Sequence, residues 1–331
     1  NSMLTIGANY RLPDSPWGLA LSYNRQNGTS PTYSGFGSNQ KMRIVANNLS
    51  DSVSVIDTSS NRVVATIPVG TEPLIVAITP DGSKAYITNL SSDSVSVIDV
   101  SNDTVVKTIP VGNIPVSIGI TADSSKAYVG NCNCGIADPN NPDTVSVINV
   151  SMDEVIATIP VGFGPLGLAI SSDGSKVYIL SSNSSTVFVI DATTDEVISV
   201  ISSGAGPAAI AITPDDTKVY VSNFDNPDSP GNSVSVIDVQ TNAVVDEVEV
   251  GIGPAALDIT PDGSKLLVAN YGNISEPGNT VSVIDTATNS SIAEFIVGTG
   301  PIAIAISPDG SSAYVANFGS SDSVGNTVSV I

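Results

Sequence analysis

The stretch VGTEPLIVAITPDGSKAYITNLSSDSVSVIDVSNDTVVKTIPVG, residues 69–112, decides the fold of this chain. It contains four short runs rich in Val, Ile and Tyr, each bounded by Gly, Pro, Asp, Asn or Ser. Such runs predict strands joined by tight turns. The predicted strands, in chain order, are strand A at Leu74–Thr79, strand B at Ala85–Asn89, strand C at Val95–Asp99 and strand D at Val105–Val111.

The end of strand C is repeated along the whole chain. The tetrapeptide Val-Ser-Val-Ile, or a near copy, ends at Ile56, Ile98, Ile148, Ile190, Ile237, Ile284 and Ile331, with spacings of 42, 50, 42, 47, 47 and 47 residues. Four strands recurring every roughly 40–50 residues are typical of a β-propeller blade. We therefore predict an all-β fold, a seven-bladed β-propeller of four-stranded antiparallel blades forming a single domain over residues 1–331.

The two ends of the chain are predicted to meet in one blade. The first unit diverges from the others, because an insertion at residues 24–40 separates its strand A, Pro16–Ser22, from its strand B, Met42–Asn47. The chain stops on a strand C, while Leu4-Thr5-Ile6 near the start resembles Ala65-Thr66-Ile67 of a strand D. The N-terminal strand is therefore expected to complete the last blade and close the ring, which protects the sheet edges.

Strand B carries a second repeated motif. Its clearest copies are Tyr86-Ile-Thr-Asn89, Tyr128-Val-Gly-Asn131, Tyr220-Val-Ser-Asn223 and Tyr314-Val-Ala-Asn317. With these residues the chain resembles the YVTN family of β-propeller repeats, found in archaeal surface-layer proteins and bacterial exported relatives. The resemblance implies a propeller located at the cell surface, outside the cell or in the periplasm. It implies no activity, since fold alone does not carry function.

Composition restricts the possible partners. The chain has 331 residues, 32 Asp and Glu against 11 Lys and Arg, and a formal charge of −21. Such a surface repels phosphates, so nucleic-acid binding is not expected. No run of 18 apolar residues is present, so no membrane insertion is expected either. The start at Asn1-Ser2 suggests a processed or excised fragment.

Many of the acidic residues follow the repeat and are explained by turn chemistry. Asp side chains favour turns because they bond to nearby backbone groups. Six lie in A–B turns and five end strand C: Asp81, Asp123, Asp173, Asp215, Asp262, Asp309, and Asp57, Asp99, Asp191, Asp238, Asp285. We interpret these eleven as structural.

A binding surface is expected where loop length varies. In a propeller, B–C loops and D–A connections share one face. The B–C loops are long at residues 131–143, 223–232, 270–279 and 317–326 and shorter elsewhere. Variable loops on a rigid scaffold often carry binding sites. The candidate residues are Asp138, Asp143, Asp225, Asp228, Glu276 and Asp322. The hypothesis is a surface for a protein or glycan at the cell surface. Alternatives are a Ca²⁺ site built from carboxylates and ordinary solvated loops. No other cofactor is expected.

Two further features are ambiguous. Asp258 occupies a strand A position held by Ala or Gly in other units, where a carboxylate needs a hydrogen-bond partner or water. It is interpreted as a structural residue of the central channel, with a functional role as the alternative. Cys132 and Cys134 are the only cysteines. A local disulfide or two free thiols is favoured over a metal site, because a zinc site normally has four ligands and histidine is absent.

Eight Asn-x-Ser/Thr sequons are present, a pattern consistent with a glycosylated exported protein. They begin at Asn27, Asn48, Asn89, Asn102, Asn149, Asn183, Asn273 and Asn289. Chance is the alternative explanation, because the chain is rich in Asn and Ser.

Catalysis is not expected from this composition. The chain has no histidine, which removes the usual general base and the Ser-His-Asp triad. It also lacks a glycine-rich phosphate loop between a strand and a helix. We therefore predict a non-catalytic interaction or structural module. The alternatives are a propeller that binds a small ligand or Ca²⁺ and, less favoured, a lyase or hydrolase using paired carboxylates.

Overall fold

The structure is a computed structural model, and it describes residues 42–57, 59–60, 62–133, 142–226, 229–273, 275–319 and 324–331. Within these residues the chain forms 26 strands and three short 3-10 helices. The strands make seven antiparallel sheets, numbered here in chain order.

The first three sheets follow the order of the chain. Sheet 1 contains β1 (Met42–Asn47), β2 (Ser52–Asp57) and β3 (Arg62–Pro68). Sheet 2 contains β4 (Pro73–Ile78), β5 (Lys84–Asn89), β6 (Ser94–Asp99) and β7 (Thr104–Pro110). Sheet 3 contains β8 (Pro115–Ile120), β9 (Lys126–Asn131), β10 (Thr144–Asn149) and β11 (Glu154–Pro160).

The remaining four sheets repeat the arrangement. Sheet 4 contains β12 (Pro165–Ile170), β13 (Lys176–Ser181), β14 (Thr186–Asp191) and β15 (Glu196–Ser202), and sheet 5 contains β16 (Pro207–Ile212), β17 (Lys218–Asn226), β18 (Ser229–Asp238) and β19 (Ala243–Glu249). Sheet 6 contains β20 (Pro254–Ile259), β21 (Lys265–Gly272), β22 (Pro277–Asp285) and β23 (Ser290–Ile296), and sheet 7 contains β24 (Pro301–Ile306), β25 (Ala313–Gly319) and β26 (Val324–Val330). The 3-10 helices η1 (Asn48–Ser50), η2 (Leu90–Ser92) and η3 (Ser182–Ser184) fill the short B–C loops.

The seven sheets are the blades of a seven-bladed β-propeller, so the predicted fold class is confirmed. In the unit at residues 69–112, predicted strands A and D are shifted by one residue from the observed strands, and strands B and C begin one residue late. Strand B of the first unit is β1 as predicted. The A–B turn closes as expected, because Gly82 has a φ of 72° and its N–H bonds to the carbonyl of Thr79 at 2.7 Å. The single-domain assignment over residues 1–331 stays a prediction.

The N-terminal closure falls outside the described residues, as do Pro16–Ser22, Leu4-Thr5-Ile6 and the insertion at 24–40. Sheets 1 and 7 therefore have three described strands each. In sheet 7, Val328 and Val330 of β26 are 52% and 60% exposed, whereas their counterparts in β6, Val95 and Val97, are fully buried. The outer edge of β26 is where the sequence predicts the N-terminal strand.

Contacts divide the chain into two compact units. One holds the described residues up to Lys176 together with Asp191–Glu196, and the other holds Val177–Ile190 and Val197–Ile331. In the first unit, buried residues of sheet 2 such as Val97 form a continuous core with residues of sheet 3 such as Val129. In the second unit, a core of the same kind links sheets 5 and 6. Apolar residues alternating along strands thus pack sheet against sheet.

Candidate functional site

The two repeated motifs of the sequence bind to each other. In sheet 2, Nδ2 of Asn89 donates hydrogen bonds to Oγ of Ser94 at 3.1 Å and of Ser96 at 2.9 Å. The asparagine that ends strand B makes the same pair of bonds to strand C hydroxyls in the sheets of Asn47, Asn131, Asn223, Asn270 and Asn317. Buried amides need such partners. The motifs are therefore structural and contribute no binding site of their own.

B–C loops and D–A connections meet at one end of each sheet, which we call the B–C end. There, the residue that follows the strand B asparagine donates its N–H to the carbonyl of the residue directly before strand A. These bonds are Leu90 to Glu72 (3.0 Å), Cys132 to Ile114 (3.1 Å), Phe224 to Gly206 (3.2 Å), Tyr271 to Gly253 (2.8 Å) and Phe318 to Gly300 (2.8 Å). The backbone at the B–C end of these sheets is thus fixed by hydrogen bonds.

The accepting residue has a left-handed backbone. Gly253 has a φ of 65°, and a Cβ on it would overlap the carbonyl oxygen of Gly272. Gly206 and Gly300 are under the same two restrictions in their own sheets. Glycine alone meets both demands, because it tolerates positive φ and has no side chain. The Gly-x-Gly-Pro sequence before strand A in sheets 5, 6 and 7 follows from this geometry.

Asp143, a predicted binding residue, has a structural role. It is 1% exposed, and its two carboxylate oxygens accept the N–H groups of Asn133 and Gly164, each at 2.8 Å. Asp51 and Asp93 accept the N–H of the equivalent connection residues, Glu72 at 2.9 Å and Ile114 at 2.8 Å. All three aspartates immediately precede strand C, a signal that the sequence contains and that the prediction missed.

The long B–C segments of sheets 5 and 6 are β-hairpins, not irregular loops. Pairing of β17 with β18 continues to Asn226 opposite Ser229, and pairing of β21 with β22 continues to Gly272 opposite Pro277. A bulge after Asn223 and another after Asn270 let the strands continue. In these sheets a backbone carbonyl takes the place of the aspartate as acceptor for the D–A connection. The N–H of Gly253 bonds to the carbonyl of Gly231 at 2.8 Å, and the N–H of Gly300 bonds to the carbonyl of Gly278 at 2.7 Å.

Aromatic side chains join the bases of these two hairpins. Phe224 and Tyr271 follow the strand B asparagines of sheets 5 and 6, and both are almost fully buried. Their ring centroids are 6.4 Å apart with an interplanar angle of 47°. Tilted aromatic pairs at this separation attract each other. The hairpins are therefore anchored to each other, while Asp225 and Glu276 further out are exposed.

The predicted carboxylate cluster is not formed by the described residues. Asp225 and Glu276 are exposed on separate hairpins, and Asp143 is buried. Asp138, Asp228 and Asp322 are not among the residues that the structure describes. No three His, Cys, Asp or Glu side chains in the described part of the chain come close enough to hold a metal ion. This arrangement gives no support to the Ca²⁺ alternative.

Asp258 is buried and bonded to backbone. It is 3% exposed, and its carboxylate accepts the N–H of Ile259 at 2.9 Å and of Ile306, in strand β24 of the next sheet, at 2.8 Å. These bonds supply the partners that a buried carboxylate requires. Asp258 therefore ties strands A of sheets 6 and 7, consistent with its structural interpretation.

Cys132 lies directly after β9 in the B–C segment of sheet 3. It is 1% exposed and disulfide-bonded. Cys134, the other cysteine of the chain, lies outside the described residues. A thiol held in a disulfide does not offer a thiolate ligand to a metal.

The opposite end of the sheets carries the A–B and C–D turns, and the aspartates of the described A–B turns are hydrogen-bonded there. Asp309 accepts hydrogen bonds from Oγ of Ser307 at 2.6 Å and from the N–H of Ser311 at 3.0 Å. These bonds, that of Ser307 foremost, lower the pKa of Asp309 to about 2. Asp81, Asp123, Asp173 and Asp262 make the same contacts, and Asp215 accepts the N–H and the hydroxyl of Thr217. They are turn residues, as the sequence indicated.

Comparison with known proteins supports the fold and a surface location. Residues 166–297, less than half of the chain, match the choice-of-anchor I domain family. The match supports a β-propeller family and indicates a surface-associated propeller. No helix in the described residues is long and apolar enough to cross a membrane.

Two solved structures are similar in fold. Hydrazine synthase from Kuenenia stuttgartiensis has a TM-score of 0.69 and 24% identity, covering 88% of this chain and 92% of its own. A functionally unknown protein from Desulfotomaculum acetoxidans has a TM-score of 0.68 and 20% identity, covering 84% of this chain and 90% of its own. No curated protein matches. At these identities the likeness concerns architecture alone.

Proposed function

We propose that this chain is a non-catalytic, exported propeller of the YVTN type that binds a protein or a glycan at the cell surface. The proposed contact surface is the pair of B–C hairpins of sheets 5 and 6. A surface location is supported by the family match, whose name refers to anchoring. The non-catalytic part is supported by the absence of histidine from the sequence.

The observation that carries the proposal is the construction of the two hairpins. Their bases are fixed by glycine-dependent hydrogen bonds and by the Phe224–Tyr271 pair. Their outer parts present exposed groups, among them Asp225 and Glu276, and the neighbouring connection exposes 56% of Ile252. A rigid surface of mixed apolar and acidic groups loses little conformational entropy on binding, which favours affinity.

The chain itself offers a matched way to remove each hairpin. Residues 224–232 can be replaced by the sequence of residues 90–93, Leu-Ser-Ser-Asp, which connects the same strands in sheet 2. The grafted aspartate replaces the Gly231 carbonyl as acceptor for the N–H of Gly253, just as Asp93 does for Ile114. Residues 271–279 can be exchanged in the same way. The shortened variants should keep the thermal stability of the parent to within a few degrees.

Binding is then measured on a glycan array and by co-precipitation from a cell-envelope extract of the source organism. We expect ligands of the parent protein to be lost in the variant with both hairpins replaced. The control replaces residues 48–51 of sheet 1 with the same four residues and should bind normally. Binding that survives removal of both hairpins in a folded variant would refute the proposed surface.

A further inference from the structure

The structure separates the sequons into asparagines that are engaged and one that is not. Of the eight, Asn27 lies outside the described residues. The remaining seven are at Asn48, Asn89, Asn102, Asn149, Asn183, Asn273 and Asn289. An N-glycan can be added to a folded protein only where the side-chain amide reaches solvent, so exposure and hydrogen bonding decide between them.

Two sequon asparagines are buried. Asn48 is 2% exposed. Asn89 is fully buried, and its Nδ2, the atom that a glycan would modify, donates to Ser94 and Ser96. Modification of Asn89 would break both bonds and require space that the core does not have. The asparagines of these two sequons are therefore not accessible to glycosylation in the folded protein.

In two C–D turns the asparagine binds its own sequon. Oδ1 of Asn102 accepts the N–H and the hydroxyl of Thr104. Oδ1 of Asn149 accepts the N–H of Ser151 at 3.0 Å and its hydroxyl at 2.7 Å. These bonds hold Oδ1 of each asparagine, and so the orientation of its amide, in a tight turn.

The next two sequons are also engaged. Oδ1 of Asn289 accepts bonds from Nζ of Lys218 at 2.9 Å and from the hydroxyl of Tyr220 at 3.0 Å, and its Nδ2 donates to Asp246 at 3.1 Å. Oδ1 of Asn273 accepts the N–H of Glu276 at 2.6 Å.

Asn183 differs from all of these in its hydrogen bonding, although Asn102 is exposed as well. It is the central residue of η3, the B–C loop of sheet 4, and its side chain is exposed. No residue of η3 is buried, and the Asn183 amide forms no hydrogen bond with any described residue. The loop backbone is closed without it, since the N–H of Ser185 bonds to the carbonyl of Ser182 at 3.2 Å.

We propose that Asn183 is an N-glycan acceptor of the folded protein. The donor is an oligosaccharide linked through phosphate to a lipid. A bond forms between Nδ2 of Asn183 and C1 of the first sugar, the bond between C1 and the phosphate oxygen breaks, and the amide proton leaves with the phosphate. The inference rests on the surface location in the proposed function, where such donors are available. Since η3 packs against β16, the glycan would stand beside the sheet that carries the first hairpin.

The first test uses the folded full chain and a purified oligosaccharyltransferase that accepts Asn-x-Ser/Thr without further sequence requirements. The probe is its lipid-linked oligosaccharide, and occupancy is mapped by peptide mass spectrometry. We expect Asn183 to be modified at least tenfold more than Asn89, and Asn183→Gln to abolish that signal. Synthetic peptides containing each sequon should be modified to a similar extent, which shows that the fold makes the difference.

Equal occupancy of Asn89 and Asn183 in the folded chain would overturn the inference. So would an unmodified Asn183 in the folded chain whose peptide is a good acceptor. A second arm maps the protein isolated from its own cells, where Asn183 should carry the glycan and its consistent absence would again overturn the proposal. Loss of hairpin binding in the graft experiment leaves these readouts unchanged, so the two proposals fail separately.

Discussion

The hydroxyl of Tyr86 in strand β5 donates a hydrogen bond of 2.5 Å to Oδ1 of Asp153, which lies in the C–D turn of the next sheet. Lys84, on the same side of β5, binds the other oxygen of Asp153 at 2.6 Å and the carbonyl of Val150 at 2.8 Å. Lys126 and Tyr128 bind Asp195 in the same way, and Lys218 and Tyr220 bind Asn289. We call each such set a clasp.

Removing one hydroxyl from a clasp should weaken the folded state. In Tyr86→Phe, the ring stays in the core, and the hydroxyl loses its bond to Asp153 and its longer bond of 3.3 Å to the carbonyl of Val150. We expect the free energy of unfolding to fall by about 2 kcal/mol, as for a hydrogen bond to a charged group. Urea unfolding followed by circular dichroism measures the change.

The matched control is Tyr314→Phe, because Tyr314 has the same place in sheet 7 but is 40% exposed. A change there should stay within about 0.5 kcal/mol. Equal losses of unfolding free energy in the two variants would show that the hydroxyl of Tyr86 does not stabilise the folded state through the clasp.

The clasps also predict a loss of stability at high pH. Burial, followed by the bonds to Asp153 and Asp195, raises the pKa of Tyr86 and Tyr128 well above the ordinary value near 10, and burial raises that of Tyr220. Above pH ~10 the unfolded chain releases phenol protons that the folded protein keeps, so stability falls as pH rises. The contribution is fully present below that pH.

Urea titrations between pH 8 and 11.5, values chosen as roughly two units around the ordinary phenol pKa, test this expectation. The free energy of unfolding of the parent should decline more steeply above pH ~10 than that of a variant with Phe at positions 86, 128 and 220. Parallel curves would contradict the assignment of the alkaline loss to these tyrosines.

Gly253 should be far less replaceable than another glycine with the same backbone. Gly253→Ala combines a φ of 65° with overlap between the new Cβ and the Gly272 carbonyl, so we expect a loss of about 3 kcal/mol or more. Gly174 has a φ of 71°, and a Cβ there would meet only Thr121 at 3.7 Å, so Gly174→Ala should cost about 1 kcal/mol. Thermal unfolding of both variants gives the comparison, and equal losses would argue against the overlap.

Asp143 should behave as a structural residue rather than a ligand. Asp143→Ala leaves the N–H groups of Asn133 and Gly164 without their acceptor, and we expect a loss of about 2–3 kcal/mol in unfolding free energy. Glu276→Ala, on an exposed hairpin, should change stability by less than about 0.5 kcal/mol. If Asp143→Ala leaves the free energy of unfolding unchanged, Asp143 again becomes a candidate binding residue.

The fold could be predicted because its signals are local and repeated. Alternation of Val and Ile in strands such as β6, with Pro-Asp-Gly at the turn, determines strands and hairpins from a few neighbouring residues. Seven copies of the unit then fix the number of blades. The difference between long loops and hairpins was not predictable in this way, because segments such as 224–232 contain mainly turn-forming residues and pair only past a bulge.

The site was harder to predict because its determinants are distant in the sequence. Whether Asp143 is a ligand or a structural acceptor depends on the N–H of Gly164, 21 residues away. The clasp of Tyr86 and Asp153 spans 67 residues. Among the sequons, Asn89 is the last residue of strand B in sheet 2 and Asn183 lies in the B–C loop of sheet 4, and burial separates the two side chains.

Because each clasp takes its acceptor from the following repeat, the repeat in the sequence is not an independent structural module. A fragment that ends after sheet 2, 3 or 5 would leave a lysine ammonium and a tyrosine hydroxyl at the cut surface without their acceptor. Gene duplication could therefore add repeats inside an existing array more readily than at its free end. Engineered arrays built from this chain will need a terminal cap that supplies the missing aspartate or asparagine.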